Sequence, residues 1–107
     1  YPLSLSYAET LDTNGQYAEA IVTYKKLSRQ RPNDINIWYQ LAELQGIAGD
    51  ISEVHQARAE YFYGTGEFGR SIDHLNSALL ERNDVLAAAR IRQRLEDIQT
   101  TIDRYYQ

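Results

Sequence analysis

Gly15 and Gly49 stand 34 residues apart, and much of what surrounds the first recurs around the second. Tyr17 is answered by Ile51, Ala20 by Val54, and the earlier Tyr7-Ala8 pair by Leu41-Ala42. A period of this length, built from two helices and a turn, constrains the fold more than composition does. One helical hairpin cannot bury its apolar face alone and must stack on the next. Stacking leaves an extended surface, so the period points to binding before any catalytic residue is sought.

The bulk numbers agree with a single domain over residues 1–107, long enough for one core and not for two. Apolar residues make up 43 % and charged residues 24 %, ordinary proportions for a globular domain. The net charge of −4 is shared between both halves with no basic tail, which sets nucleic acid aside as a partner. No apolar run approaches the ~20 residues that span a bilayer, so membrane insertion is not expected. Cysteine is absent, which removes disulfides and thiolate metal sites. Methionine is absent too, and the expectation is a domain excised from a larger protein.

Periodicity predicts six helices and no strand. The first covers Leu3 to Thr13, with Leu3, Tyr7, Ala8 and Leu11 on one stripe, and Asn14-Gly15 ends it. The second runs from Tyr17 to Gln30, burying Ala20, Ile21, Tyr24 and Leu27, until Pro32 stops it. Asn33-Asp34 caps the third, whose apolar face is Trp38, Leu41, Ala42 and Leu44, closed by Gly46 and Gly49. Asp50 and Glu53 have capping-box spacing at the start of the fourth. Its expected stripe is Val54, Ala57, the stem of Arg58, Tyr61 and Phe62, up to Gly64-Thr65-Gly66. The fifth carries Phe68, Ile72, Leu75, Ala78 and Leu79, and Asn83-Asp84 caps the sixth and longest.

From Gly49 to Gly66 is only 17 residues, half the period, so the fourth helix serves two hairpins. Short connections then make consecutive helices antiparallel neighbours. In the sixth helix Ala88, Ile91, Leu95, Ile98, Ile102 and Tyr105 make a heptad seam. Such a seam is read either as an oligomer surface or as a capping helix with one face on the fifth.

No catalytic or cofactor constellation is complete. His55 and His74 are nineteen residues apart with no H-E-x-x-H, and read as surface or groove-edge residues. There is no G-x-S-x-G, and Gly64-Thr65-Gly66 lacks the following lysine of a phosphate loop. Glu53 and Glu60 are expected on wet helix faces; Arg90 and Arg94 share a face with Asp97 nearby, while Arg92 points elsewhere and can pair with Glu96. Neither metal nor cofactor is expected.

Gly15, Tyr17, Ala20, Tyr24, Leu27 and Pro32 resemble one tetratricopeptide repeat. The fold implied is all-α, a right-handed stack of about six antiparallel helices with a long C-terminal capping helix. The resemblance also implies a concave groove lined by the first helix of each repeat. It carries onto Leu5, Glu9, Asp12 and Thr13, then onto Asn36, Tyr39, Gln40, Glu43 and Ile47. If the fourth helix also lines the groove, Gln56, Glu60 and Tyr63 join them. Tyr39 and Tyr63 read either as binding anchors, large rigid rings with a polar end, or as fillers between helices. An acidic, amide-rich and aromatic groove lacks the cations that would clamp a peptide's terminal carboxylate.

The stretch from Gly49 to Phe62, with Ser71 to Leu79 and Ala89 to Leu95, resembles something more particular. His55-Gln56-Ala57-Arg58-Ala59-Glu60-Tyr61, a short hairpin and a long Ala-, Arg- and Leu-rich helix are similar to one protease tail. It is the C-terminal repeat domain of bacterial periplasmic zinc metalloproteases of the β-barrel assembly-enhancing type. The resemblance implies a non-catalytic protein-binding module in the periplasm. Its implied partners are the parent protease domain and the outer-membrane assembly machinery or its clients. Gly69 and Ser71 depart from the bulkier residues usual there, so looser packing of the fifth helix is expected. A free-standing repeat adaptor is the alternative, and self-association through the sixth helix a third.

Overall fold

The computed structural model describes residues 16–82 and 84–106, and among them the chain forms helices and turns with no strand. Five helices follow one another: α1 (Tyr17–Gln30), α2 (Ile35–Ala48), α3 (Ile51–Gly64), α4 (Phe68–Leu80) and α5 (Val85–Tyr105). These match the second to sixth predicted helices. The first predicted helix, with Leu5, Glu9, Asp12 and Thr13, lies outside the described residues.

Local chemistry sets the boundaries. Asp34 accepts from the Asn36 N–H, Asp50 from the Glu53 N–H and Asp84 from the Leu86 N–H, each satisfying a donor that the first turn leaves free. At the end of α2, Gly49 takes φ 83°, and the Asp50 N–H reaches back to the Gln45 carbonyl. Gly66, also at φ 83°, closes α3 the same way, with the Glu67 N–H on the Phe62 carbonyl. Both positions need the left-handed conformation that glycine adopts without steric cost. Gly46, expected as part of the stop, lies inside α2, because it is Gly49 that turns the backbone.

Each helix packs on the next in sequence, with the α3–α4 contact the most extensive. One core cluster gathers Ala20, Tyr24 and Leu27 of α1 with Ile37, Leu41, Ala42 and Leu44 of α2 and Ala57 of α3. A second joins Ala59, Leu75, Ala78, Ile91 and Ile98. The expected face of α2 gains a residue, and that of α3 changes. Ile37 is fully buried beside Leu41, Ala42 and Leu44, and Trp38 packs partly buried at the cluster's edge, where its Nε1–H donates to the Pro32 carbonyl at 2.8 Å. In α3 Arg58 is exposed, while Ala59 is fully buried against α4.

The loose packing expected around Gly69 and Ser71 is not seen at Ser71, which is fully buried. Its Oγ donates to the Ala59 carbonyl at 2.7 Å, and Ser52 Oγ returns the arrangement by donating to the Ala78 carbonyl at 3.0 Å. Small side chains let the two backbones approach closely enough for these bonds, which satisfy hydroxyls that burial would otherwise penalise. The α5 seam faces inward: Ala88, Ile91 and Ile98 are buried, with Leu95 and Ile102 packed on the second cluster. The seam is thus occupied within the chain, as the capping reading requires. Only its last position, Tyr105, is largely exposed, with its ring 5.7 Å from Phe68.

Candidate functional site

Helix α3 separates two hollows, because its residues alternate between faces at helical spacing. Glu53, Gln56, Ala57 and Glu60 line one, a cavity of about 270 Å³ shared with α1, α2, α4 and α5. Arg58, Tyr61 and Phe62 line the other, about 130 Å³, with Tyr39, Ala42 and Glu43 of α2.

The first face is organised by charge. Glu60 receives two hydrogen bonds from Arg94, at 2.7 and 2.8 Å, and the Arg94 guanidinium lies 4.7 Å from the Tyr63 ring centre. The bonds to Glu60 hold Arg94 above its ordinary range, against the burial that acts in the opposite direction. Glu53 lies 3.6 Å from Lys25 and 3.5 Å from Arg82, and Arg82 also binds both oxygens of Asp50 at 3.1 Å. The Asp50–Glu53 cap is therefore one-sided: Asp50 accepts from the backbone, while the Glu53 carboxylate turns to the cations.

These contacts revise the charge pairing expected along α3 and α5. Glu53 and Glu60 do not sit on a wet face; their side chains keep 26 % and 18 % of their exposure. Arg94 takes Glu60 of α3 as its partner, while Asp97, near enough to favour the charged guanidinium, accepts from Gln93. Arg92 and Glu96 form no ion pair.

The second face is aromatic. Tyr39 lies 6.0 Å from Tyr61, Tyr61 meets Phe62 edge-on at 5.3 Å, and Phe62 stacks on His74 at 5.3 Å. His74 in turn reaches His55, with the two Nδ1 atoms 2.9 Å apart, so one ring must donate and the other accept. Burial lowers the His74 pKa from its ordinary value, helped by the charges of His55, Arg58 and Arg70 and opposed by Asp73.

The predicted groove residues are divided by this geometry. Tyr39, 52 % exposed, and Glu43 line the small hollow, and Asn36 and Ile47 are exposed on the same helix with Gln40 half-buried. Gln56 and Glu60 line the large cavity on the other side of α3, and Tyr63 lies half-buried beneath Arg94. The sequence reading passed over Lys25 and Arg29, did not place Arg90 and Arg94 at a cavity, and missed the contact between the two histidines. One signal was available: Glu60 and Arg94 stand 34 residues apart, one full period. Among the described residues no three His, Cys, Asp or Glu groups could hold a metal ion, and no helix is long and apolar enough to cross a membrane.

Residues 13–46 match the family model of the TPR repeat. This chain carries a TPR repeat. It is also 28 % identical, over 105 residues, to a beta-barrel assembly-enhancing protease of Vibrio cholerae serotype O1. That similarity takes in 96 % of this chain and 22 % of the relative. The chain thus spans about a fifth of the length of the curated relative it matches. The resemblance read from the second half of the sequence is borne out, and it extends over nearly the whole chain.

Proposed function

We propose that this chain is a non-catalytic protein-interaction module, the repeat domain of a periplasmic zinc metalloprotease active in outer-membrane protein assembly or quality control. Similarity along nearly the full chain to such a protease supports the assignment. In this reading residues Leu3 to Thr13 complete a right-handed stack of six helices, and the groove continues through Glu9 and Asp12 onto Asn36, Tyr39, Gln40, Glu43 and Ile47.

The observation that carries the binding role is the aromatic hollow: Tyr39 stays about half exposed, with the Tyr61 ring 6.0 Å away and Phe62 also lining the space. A rigid ring with a polar end gains contact area on binding with little entropy to lose. The groove receives an extended segment of the parent protease domain or of an assembly partner. A photoreactive residue placed at Tyr39 in the longest natural form of the protein is expected to crosslink to protein, whereas one at exposed Val22 on α1 is not. Equal crosslinking at both sites overturns the groove. Zinc-dependent proteolysis by this chain alone overturns the non-catalytic role. An H-E-x-x-H motif upstream of Tyr1 in the gene is expected, and a start codon there leaves a free-standing adaptor instead.

A further inference from the structure

The larger cavity carries a charge opposite to that of the whole chain. Among the described residues that line it, Lys25, Arg29, Arg90 and Arg94 outnumber two carboxylates, Glu53 and Glu60, in a protein of net charge −4. Both carboxylates are engaged, Glu60 by Arg94 and Glu53 by Lys25 and Arg82. Arg29 of α1 and Arg90 of α5 are exposed and have no ion-pair partner among the described residues. The rest of the lining is mostly apolar, with Trp38, Leu41, Ala57, Leu75 and Ile91 beside Ser28 and Gln56. The volume of about 270 Å³ is below the ~300–1,000 Å³ usual for small-molecule sites and suits a single large side chain.

We propose that this cavity is a second docking site, on the side of α3 away from the aromatic hollow, for an acidic segment of a partner protein. The segment seats one apolar side chain over Trp38 and Leu41 and lays flanking carboxylates against Arg29 and Arg90. Charge complementarity selects this occupant. Two guanidiniums with no ion pair among the described residues flank an apolar space, and their forked donors match carboxylate geometry. Low-dielectric walls strengthen the attraction, and the field raises the local concentration of acidic segments. The site does not depend on the groove of Tyr39, so either can fail without the other.

Trp38 is the only tryptophan of the chain and lines the cavity, so its fluorescence reports occupancy. The probe is a short, end-capped peptide holding one leucine between aspartates. A saturable change in Trp38 emission is expected, weakened by salt. Replacing the leucine by serine should weaken binding about tenfold or more. Arg29→Glu and Arg90→Glu should each weaken it by about tenfold with the circular dichroism unchanged, and Arg29→Gln and Arg90→Gln serve if charge reversal disturbs folding. No saturable response, or an equal response to a peptide with lysine in place of aspartate, overturns the proposal. Binding that survives both arginine substitutions but is lost in Tyr39→Ala also overturns it, placing the peptide in the other hollow and leaving the groove intact.

Discussion

The two sides of α3 are held by different physics. On one side Glu53 and Glu60 reach cations from α1, from α5 and from the turn after α4. On the other, Tyr61, Phe62 and His55 meet Tyr39 and His74 through rings. The ionic side ties distant helices together in fixed directions and, among the described residues, leaves Arg29 and Arg90 without an ion pair. The aromatic side is contact area, part of it still open at Tyr39. A helix shared between two hairpins thus acts as a wall with two unlike surfaces, and each surface answers to a different perturbation.

The largest effect comes from breaking the wall itself. Ala59→Glu puts a charge where Ala59 is fully buried beside the Ser71 hydroxyl, and should destabilise by about 3–5 kcal/mol or abolish folding. A cooperative melt close to the parent's would show that α3 and α4 can separate without loss. Next comes the ionic side alone. Glu60→Gln leaves Arg94 half-satisfied and should cost roughly 1–3 kcal/mol by denaturant titration. A double-mutant cycle with Arg94→Gln isolates the pair, and no coupling would make this side no stronger than an exposed ion pair.

The aromatic side should respond to pH instead. His74 has a lowered folded pKa, so the unfolded chain binds its proton first as pH falls from about 6.5. The stabilisation is present above 6.5 and lost as pH drops through the folded value, when His55, Arg58 and Arg70 face a charged ring. Denaturation midpoints across this range should fall in the parent and flatten in His74→Gln; identical slopes would remove the histidine pair from the account. The smallest effect on stability is expected from Tyr39→Ala, within about 1 kcal/mol given its exposure, while partner capture weakens. Unfolding would place Tyr39 in the core.

What was readable from sequence was local. Asp34, Asp50 and Asp84 cap their helices, and Gly49 and Gly66 turn the chain, because each acts on its own backbone within a few residues. Ala20, Tyr24 and Leu27 kept their repeat spacing for the same reason. The choice of Ile37 over Trp38 was not readable, since adjacent residues differ by 100° of rotation and only the facing helix decides between them. Nor was Arg94 with Glu60, whose meeting depends on which helices lie side by side. The split of the predicted groove between two hollows has that same origin: helical spacing orders residues around α3 but does not say which neighbour covers each side.

The paired serine bonds between α3 and α4 also give the chain a mechanical grain. Pulled from its ends in an optical trap, α1 and α5 should peel away in early, low-force steps. The Ser52–Ala78 and Ser71–Ala59 crossings would then load together, like two rivets in one seam, and yield last in a single rip.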